Sequence, residues 1–172
     1  CTATFETEVP SWLRHGDSGW LTAEYGMLPT STNSRNRREA KQGKQSGRTI
    51  EIQRLIGRSL RTILDLRAFP SEQFIIDCDV IEADGGTRTA SITGAYVALA
   101  LAVKKLLKKG LLTKNPIKDS LSAISCGIVD GKILVDLDYT EDSRADVDAN
   151  FVFAKKTGIS EIQISGEKST FS

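Results

Sequence analysis

The stretch DCDVIEADGGTRTASIT, residues 77 to 93, changes its hydrophobic period half-way along. Upstream of Ala83, Ile76, Cys78 and Val80 alternate with Asp77 and Asp79, the period of a strand with one buried face. Downstream, residues 89 to 107 are almost wholly apolar and end in Lys104, Lys105, Lys108, Lys109 and Gly110, a favourable helix C-terminus. Between them lies Asp84-Gly85-Gly86-Thr87-Arg88. Such a join between strand and helix is most often a turn with an N-cap. Yet glycines let N–H groups turn toward an anion, the helix N-terminus adds partial positive charge, and Arg88 supplies a planar pair of donors. The run therefore has the chemistry of a phosphate site.

On either side the sequence reads as alternating strands and helices without repeats. Residues 19 to 25 form a strand, followed by a Met27-Leu28-Pro29 exit. Residues 30 to 47, rich in Ser, Asn, Arg and Lys, have no apolar period and read as a mobile loop. From Ile50 onward Ile52, Leu55, Ile56, Leu60, Ile63 and Leu64 recur at three and four, one face of a helix, with Arg54, Arg58 and Arg61 off that face. Asp130-Gly131 between residues 122 to 129 and 132 to 139 signals a hairpin, and residues 151 to 153 and 159 to 164 add a further strand pair. The expected class is α+β: one domain over residues 1 to 172, with an antiparallel-rich sheet packed by two main helices.

Composition bounds the function. The chain has 172 residues, 40% hydrophobic and 26% charged, and a formal net charge of +1, as expected of an ordinary globular domain with a substantial core. Its longest uncharged apolar stretch, residues 90 to 103, is shorter than the roughly 20 residues of a membrane span, and no charged-then-apolar leader opens it, so the expected location is cytoplasmic. Cys1, Cys78 and Cys126 lack disulfide or zinc spacing and read as buried free thiols. The near-neutral total conceals segregated charge. Arg35, Arg37, Arg38, Lys41, Lys44 and Arg48 face the single Glu39, while Asp136, Asp138, Glu141, Asp142, Asp146 and Asp148 face the single Arg144. An anionic polymer on the arginines, an anion in the glycine turn and a divalent metal on the carboxylates would account for all three features together.

Three blocks, GWLTAEYGMLP (19 to 29), RTIEIQRLIGR (48 to 58) and DCDVIEADGGTRTASIT (77 to 93), closely resemble the ribonuclease PH family of phosphate-dependent 3′-to-5′ exoribonucleases, in register along the chain. The resemblance implies phosphorolysis, a transfer of nucleotidyl units from RNA 3′ ends to inorganic phosphate with release of nucleoside diphosphates. The family's tasks are trimming of transfer RNA precursors and ribosomal RNA processing. It further implies a fragment lacking the family's opening strands and C-terminal helix, and a ring-shaped hexamer built from dimers. Residue by residue, Arg48 and Gly86-Thr87-Arg88 match phosphate-binding positions, and Asp142 and Asp148 match the catalytic carboxylates linked to magnesium. Arg54 matches an arginine near the RNA end, and Arg35 and Arg38 match positions serving transfer RNA binding and assembly. Many relatives have a basic residue where this chain has Thr30. Phosphate is already an anionic nucleophile, so no serine, cysteine or histidine is required, and the single histidine, His15, reads as a surface residue. Asp77 and Asp79 read as structural, and Asp136 and Asp138 as hairpin surface. The alternative reading is a non-catalytic ring subunit of exosome type, or an inactive fragment, that binds RNA.

Overall fold

The computed structural model describes residues 1–14, 16–166 and 170; His15 lies outside them. In chain order the elements are β1 (Thr2–Glu6), β2 (Trp20–Met27), α1 (Gly47–Thr62), β3 (Gln73–Val80), α2 (Thr87–Lys108), β4 (Leu121–Val129), β5 (Lys132–Val135), α3 (Tyr139–Asp142), β6 (Val147–Ala154) and β7 (Gly158–Gly166). The α+β class holds, but the strands divide between two sheets. One has the order β1-β3-β2 and the other β5-β4-β6-β7. All pairs are antiparallel except β2 with β3, which run parallel because α1 carries the chain back across the sheet between them.

The apolar period of α1 buries Ile52, Leu55, Ile56 and Leu60 against the first sheet. The helix begins earlier than its apolar pattern, at Gly47. Ser46 caps it by accepting from the Thr49 N–H at 3.1 Å, and Glu39 Oε1 accepts from both the Thr49 hydroxyl (2.7 Å) and the Ser46 N–H (3.2 Å). The Thr49 hydrogen bond, ahead of the opposing effect of partial burial, lowers the Glu39 pKa. The lone acid of the basic loop thus ties that loop to α1. At the loop's other end the Ser31 carbonyl accepts from the Ala83 N–H at 2.7 Å.

Helix α2 runs 22 residues, long and apolar enough by composition alone to cross a membrane. Here it packs against both sheets, burying Ile92, Ala95, Leu99 and Val103. The Thr93 hydroxyl exchanges hydrogen bonds with the Ala123 backbone of β4 (3.0 and 3.5 Å), while Val97 and Leu101 remain exposed. The hairpin turn forms as expected, with Asp130 and Gly131 both at positive φ (50° and 71°). Strand β5 is shorter than the alternation implied, because Asp136 also takes a positive φ (62°) and the chain leaves the sheet. Cys78 is buried and Cys126 half-buried, but Cys1 is exposed, against expectation. Asp77 accepts from the Thr2 hydroxyl at 3.4 Å across β1 and β3, a structural contact and not an arginine pairing.

Candidate active site

The glycine turn is pinned from two sides. Gly86 adopts φ 68° and ψ 25°, a left-handed conformation that glycine alone takes without strain, and caps α2 with no side chain over its first N–H groups. A Cβ on Gly85 would collide with the Leu137 carbonyl, so this residue too must be glycine. Asp84 Oδ1 accepts from its neighbour Gly85 N–H at 2.9 Å and from Tyr139 N–H at 2.6 Å. The strand-to-helix turn of the first half of the chain is thereby fastened to the start of α3 in the second.

Helix α3 is a single turn closed by a capping box: Asp138 accepts from Glu141 N–H (2.7 Å), and Glu141 accepts from Asp138 N–H (3.1 Å). Asp138 is thus a cap, in keeping with its reading as a non-ligand. The turn presents Asp142, whose carbonyl receives the N–H of buried Ala145. Asp148 lies on β6, opposite Gly127 of β4 and Ser165 of β7. Its carboxylate accepts from Asn150 Nδ2 at 3.3 Å.

The next row on the same face is Ser125 (β4), Asn150 (β6) and Gln163 (β7), about 7 Å along the strands from Asp148. The α2 N-terminus sits directly over this row. A Cβ on Gly86 would lie 3.3 Å from Ser125 Oγ, and Arg88 Nη1 donates to Gln163 Oε1 at 3.0 Å. Arg88 Nη1 also pairs with Glu51 Oε1 of α1 at 3.3 Å, and Gln163 Nε2 donates to the same oxygen at 3.2 Å. From β2, Tyr25 Oη donates to Thr87 Oγ1 at 3.0 Å, which leaves the Thr87 proton to donate elsewhere.

The structure therefore gathers Gly86, Thr87 and Arg88 over the row next to Asp148, and links them through Asp84 to the turn that bears Asp142. Arg48, exposed in the first turn of α1, stands three residues before Glu51 on the helix that pairs with Arg88. Arg54 stands three residues after Glu51 on the same helix. It is exposed farther along α1 and lines a shallow groove of about 330 Å³ with Trp20, Thr22, Arg58 and Arg61. There Arg61 donates to the Leu21 carbonyl at 2.8 Å and lies 4.4 Å from the Trp20 ring centroid, while Arg58 binds Glu161 at 2.7 Å. Arg35 and Arg38 are exposed on the basic loop. Sequence reasoning missed Tyr25, Glu51, Ser125 and Gln163. The 19 to 29 block contains Tyr25 and the 48 to 58 block contains Glu51, whereas Ser125 and Gln163 lie outside all three blocks.

Neither Cys78 nor Cys126 is activated as a nucleophile. Burial pushes the Cys78 thiol up to about 11, and burial together with the Asp148 carboxylate pushes Cys126 up. Among the described residues no group of three or more His, Cys, Asp or Glu forms a metal-binding cluster.

Comparison with known proteins decides the family. Residues 1–105 match the profile of the 3′ exoribonuclease family, domain 1, and residues 119–172 that of domain 2 of the same family. Ribonuclease PH of Maricaulis maris is 60% identical over 167 residues, which cover 97% of this chain and 70% of that protein. Ribonuclease PH of Caulobacter vibrioides is 58% identical over 170 residues, covering 99% and 71%. The chain belongs to the ribonuclease PH family. As a member it is a phosphorolytic 3′-to-5′ exoribonuclease, an enzyme of nucleotidyltransferase type that acts on RNA. The ribonuclease PH fold extends to more distant proteins. Rice (Oryza sativa) Rrp46 superposes with a TM-score of 0.71 at 19% identity, covering 97% of this chain and 70% of Rrp46. A chain of the Archaeoglobus fulgidus exosome with RNA bound to its active site superposes with a TM-score of 0.74 at 19% identity, covering 98% and 68%.

Proposed function

We propose that inorganic phosphate is held by Arg48, Arg88, the Thr87 hydroxyl and the uncapped N–H groups of α2, and that its oxygen attacks the terminal phosphodiester of RNA. The observation that carries this reading is the seating of Gly86-Thr87-Arg88 over the Ser125–Asn150–Gln163 row, beside Asp148. A new oxygen–phosphorus bond forms and the bond to the 3′ oxygen of the preceding nucleotide breaks. The products are a nucleoside diphosphate and an RNA one nucleotide shorter with a free 3′ hydroxyl. The protein's task is to bring two anions together and stabilise the charge between them, which suits arginines and main-chain N–H groups. Asp142 or Asp148 relays the proton lost by the attacking phosphate to the departing 3′ oxygen.

Asp142 and Asp148 also form the donor set for magnesium. Two carboxylates of hard oxygen fit a cation that keeps several waters and takes its other ligands from substrate phosphates. When bound, it supplies positive charge to the phosphoryl oxygens.

Arg54 meets the RNA near its 3′ end, and Arg35 and Arg38 grip the body of the RNA, with transfer RNA precursor 3′ ends as the substrate and ribosomal RNA as a further one. The exposure of all three supports this, as does the RNA bound by the archaeal exosome. Assembly into a homo-oligomeric ring, a hexamer built from dimers, is supported by family membership and by the exosome fold likeness. A cytoplasmic location, with no membrane role, fits free thiols and a long apolar helix packed on two sheets. The test is to incubate RNA with the protein in the presence and absence of phosphate. Nucleoside diphosphates that appear only with phosphate are expected; monophosphates released without it would establish hydrolysis, and no product at all would favour the non-catalytic ring subunit.

A further inference from the structure

The contacts of Arg88 are unusual for an arginine meant for an anion. Its side chain is 17% exposed, and among the described residues its hydrogen bonds all leave from one terminal nitrogen, Nη1, to Glu51 and Gln163. Those two acceptors are joined by the Gln163 Nε2 to Glu51 Oε1 bond, so the three side chains close a triangle with edges of 3.3, 3.0 and 3.2 Å. They come from three elements, α1, α2 and β7, and no two share a local segment. A guanidinium has five donors in a rigid plane, so holding one corner from two directions fixes where the other donors point.

We propose that Glu51 and Gln163 are positioning residues for phosphate use: they clamp Arg88 by Nη1 and leave the opposite edge of the guanidinium set for the attacking phosphate. This rests on the phosphate-site reading above. The arrangement also explains why a carboxylate is tolerated beside an anion site. Glu51 is 40% exposed and shares its Oε1 between an arginine and an amide, so its field at the phosphate is screened and partly satisfied. Gln163 adds orientation without charge.

Steady-state kinetics with phosphate and a short single-stranded RNA varied in turn tests this. Glu51→Ala and Gln163→Met are each expected to raise KM for phosphate about tenfold, the effect of freeing a charge-assisted hydrogen bond, with KM for RNA within about twofold. Glu51→Gln, which keeps an acceptor at Oε1, is expected to recover most of the loss. In an Arg88→Ala background Glu51→Ala is expected to change KM for phosphate no further, because both act through one guanidinium. An unchanged KM for phosphate in Glu51→Ala with a lowered Tm would overturn the proposal and make the triangle a packing device. So would an effect of Glu51→Ala that persists without Arg88. If Arg88→Ala itself leaves phosphate dependence intact, the phosphate-site reading fails, a result distinct from failure of the clamp alone.

Discussion

Asp84 and Tyr139, 55 residues apart, are joined by a 2.6 Å hydrogen bond from the Tyr139 N–H to Asp84 Oδ1. Through it the glycine turn that opens α2 and the short helix that carries Asp142 become one rigid unit. Asp84→Ala is expected to lower kcat/KM by roughly 10- to 100-fold, the loss of a charge-assisted backbone hydrogen bond, with near-native circular dichroism. Asp84→Asn, which keeps the Oδ1 acceptor, should recover most of it. Equal loss of activity and of folded protein in Asp84→Ala would mean that the bond serves the fold.

Arg48→Ala and Arg88→Ala remove the two guanidinium groups of the proposed phosphate site. Each is expected to cost about 2 to 4 kcal/mol of transition-state stabilisation, read as kcat/KM for phosphate. Arg48 is exposed, so its variant should unfold at the wild-type temperature. A variant that unfolds early yet uses phosphate normally per folded molecule would show a structural arginine.

Asp142→Asn and Asp148→Asn should abolish turnover while leaving RNA affinity unchanged or slightly higher, since each removes negative charge from a surface that meets a polyanion. Titration with magnesium should no longer stimulate either variant. Wild-type rates would leave Asp142 a residue of the α3 turn, or Asp148 a strand residue, with no part in catalysis.

Neutralising Arg35, Arg37, Arg38, Lys41 and Lys44 is expected to weaken RNA binding and flatten its salt dependence by about 0.7 in slope for each RNA phosphate that no longer meets a positive charge. Turnover of a saturating short RNA should hardly change. Mass in solution is measured alongside, because an unchanged slope with a collapsed oligomer would assign the loop to assembly.

Asp119 gives a prediction about acid stability. It is buried, and its carboxylate accepts from the N–H groups of Ser120 (2.7 Å), Lys156 (2.8 Å) and Thr157 (3.1 Å), which fastens the β6–β7 turn to the start of β4. Burial opposes its ionisation, but the N–H donors overcome this and hold its pKa below the usual 3.8. The folded state therefore binds the proton less readily than the unfolded chain. The stabilisation is present above pH 3.8 and is lost as pH falls through the depressed folded value. Asp119→Asn should lower Tm at pH 7 and converge with wild type in strong acid. Parallel Tm curves across that range would show that the charge contributes nothing.

Much of this fold was legible because its signals are local. The period of α1, the alternation of β3 and the Asp130-Gly131 turn each act within a few residues. The parallel pairing of β2 with β3 and the split into two sheets were not legible, since they depend on which strands meet after α1 and α2 pack. In the site, Gly86 and Arg88 could be recognised from the turn itself, whereas Asp142 and Asp148 were distinguished from the other carboxylates of their acidic run only by the family resemblance. Glu51 and Gln163 had no individual signal. Glu51 reads as one more charge on a helix and Gln163 as one polar residue in a strand, and their bond spans 112 residues.

The seating of α2 over the Ser125–Asn150–Gln163 row makes catalytic competence a late event in the life of the chain. Arg88 comes from one half and Asp148 from the other, and the core that holds the halves together is shared between both sheets and both long helices. Only docking of the two halves creates an enzyme. A chain still emerging during synthesis would be harmless to nearby RNA until β6 and β7 are complete.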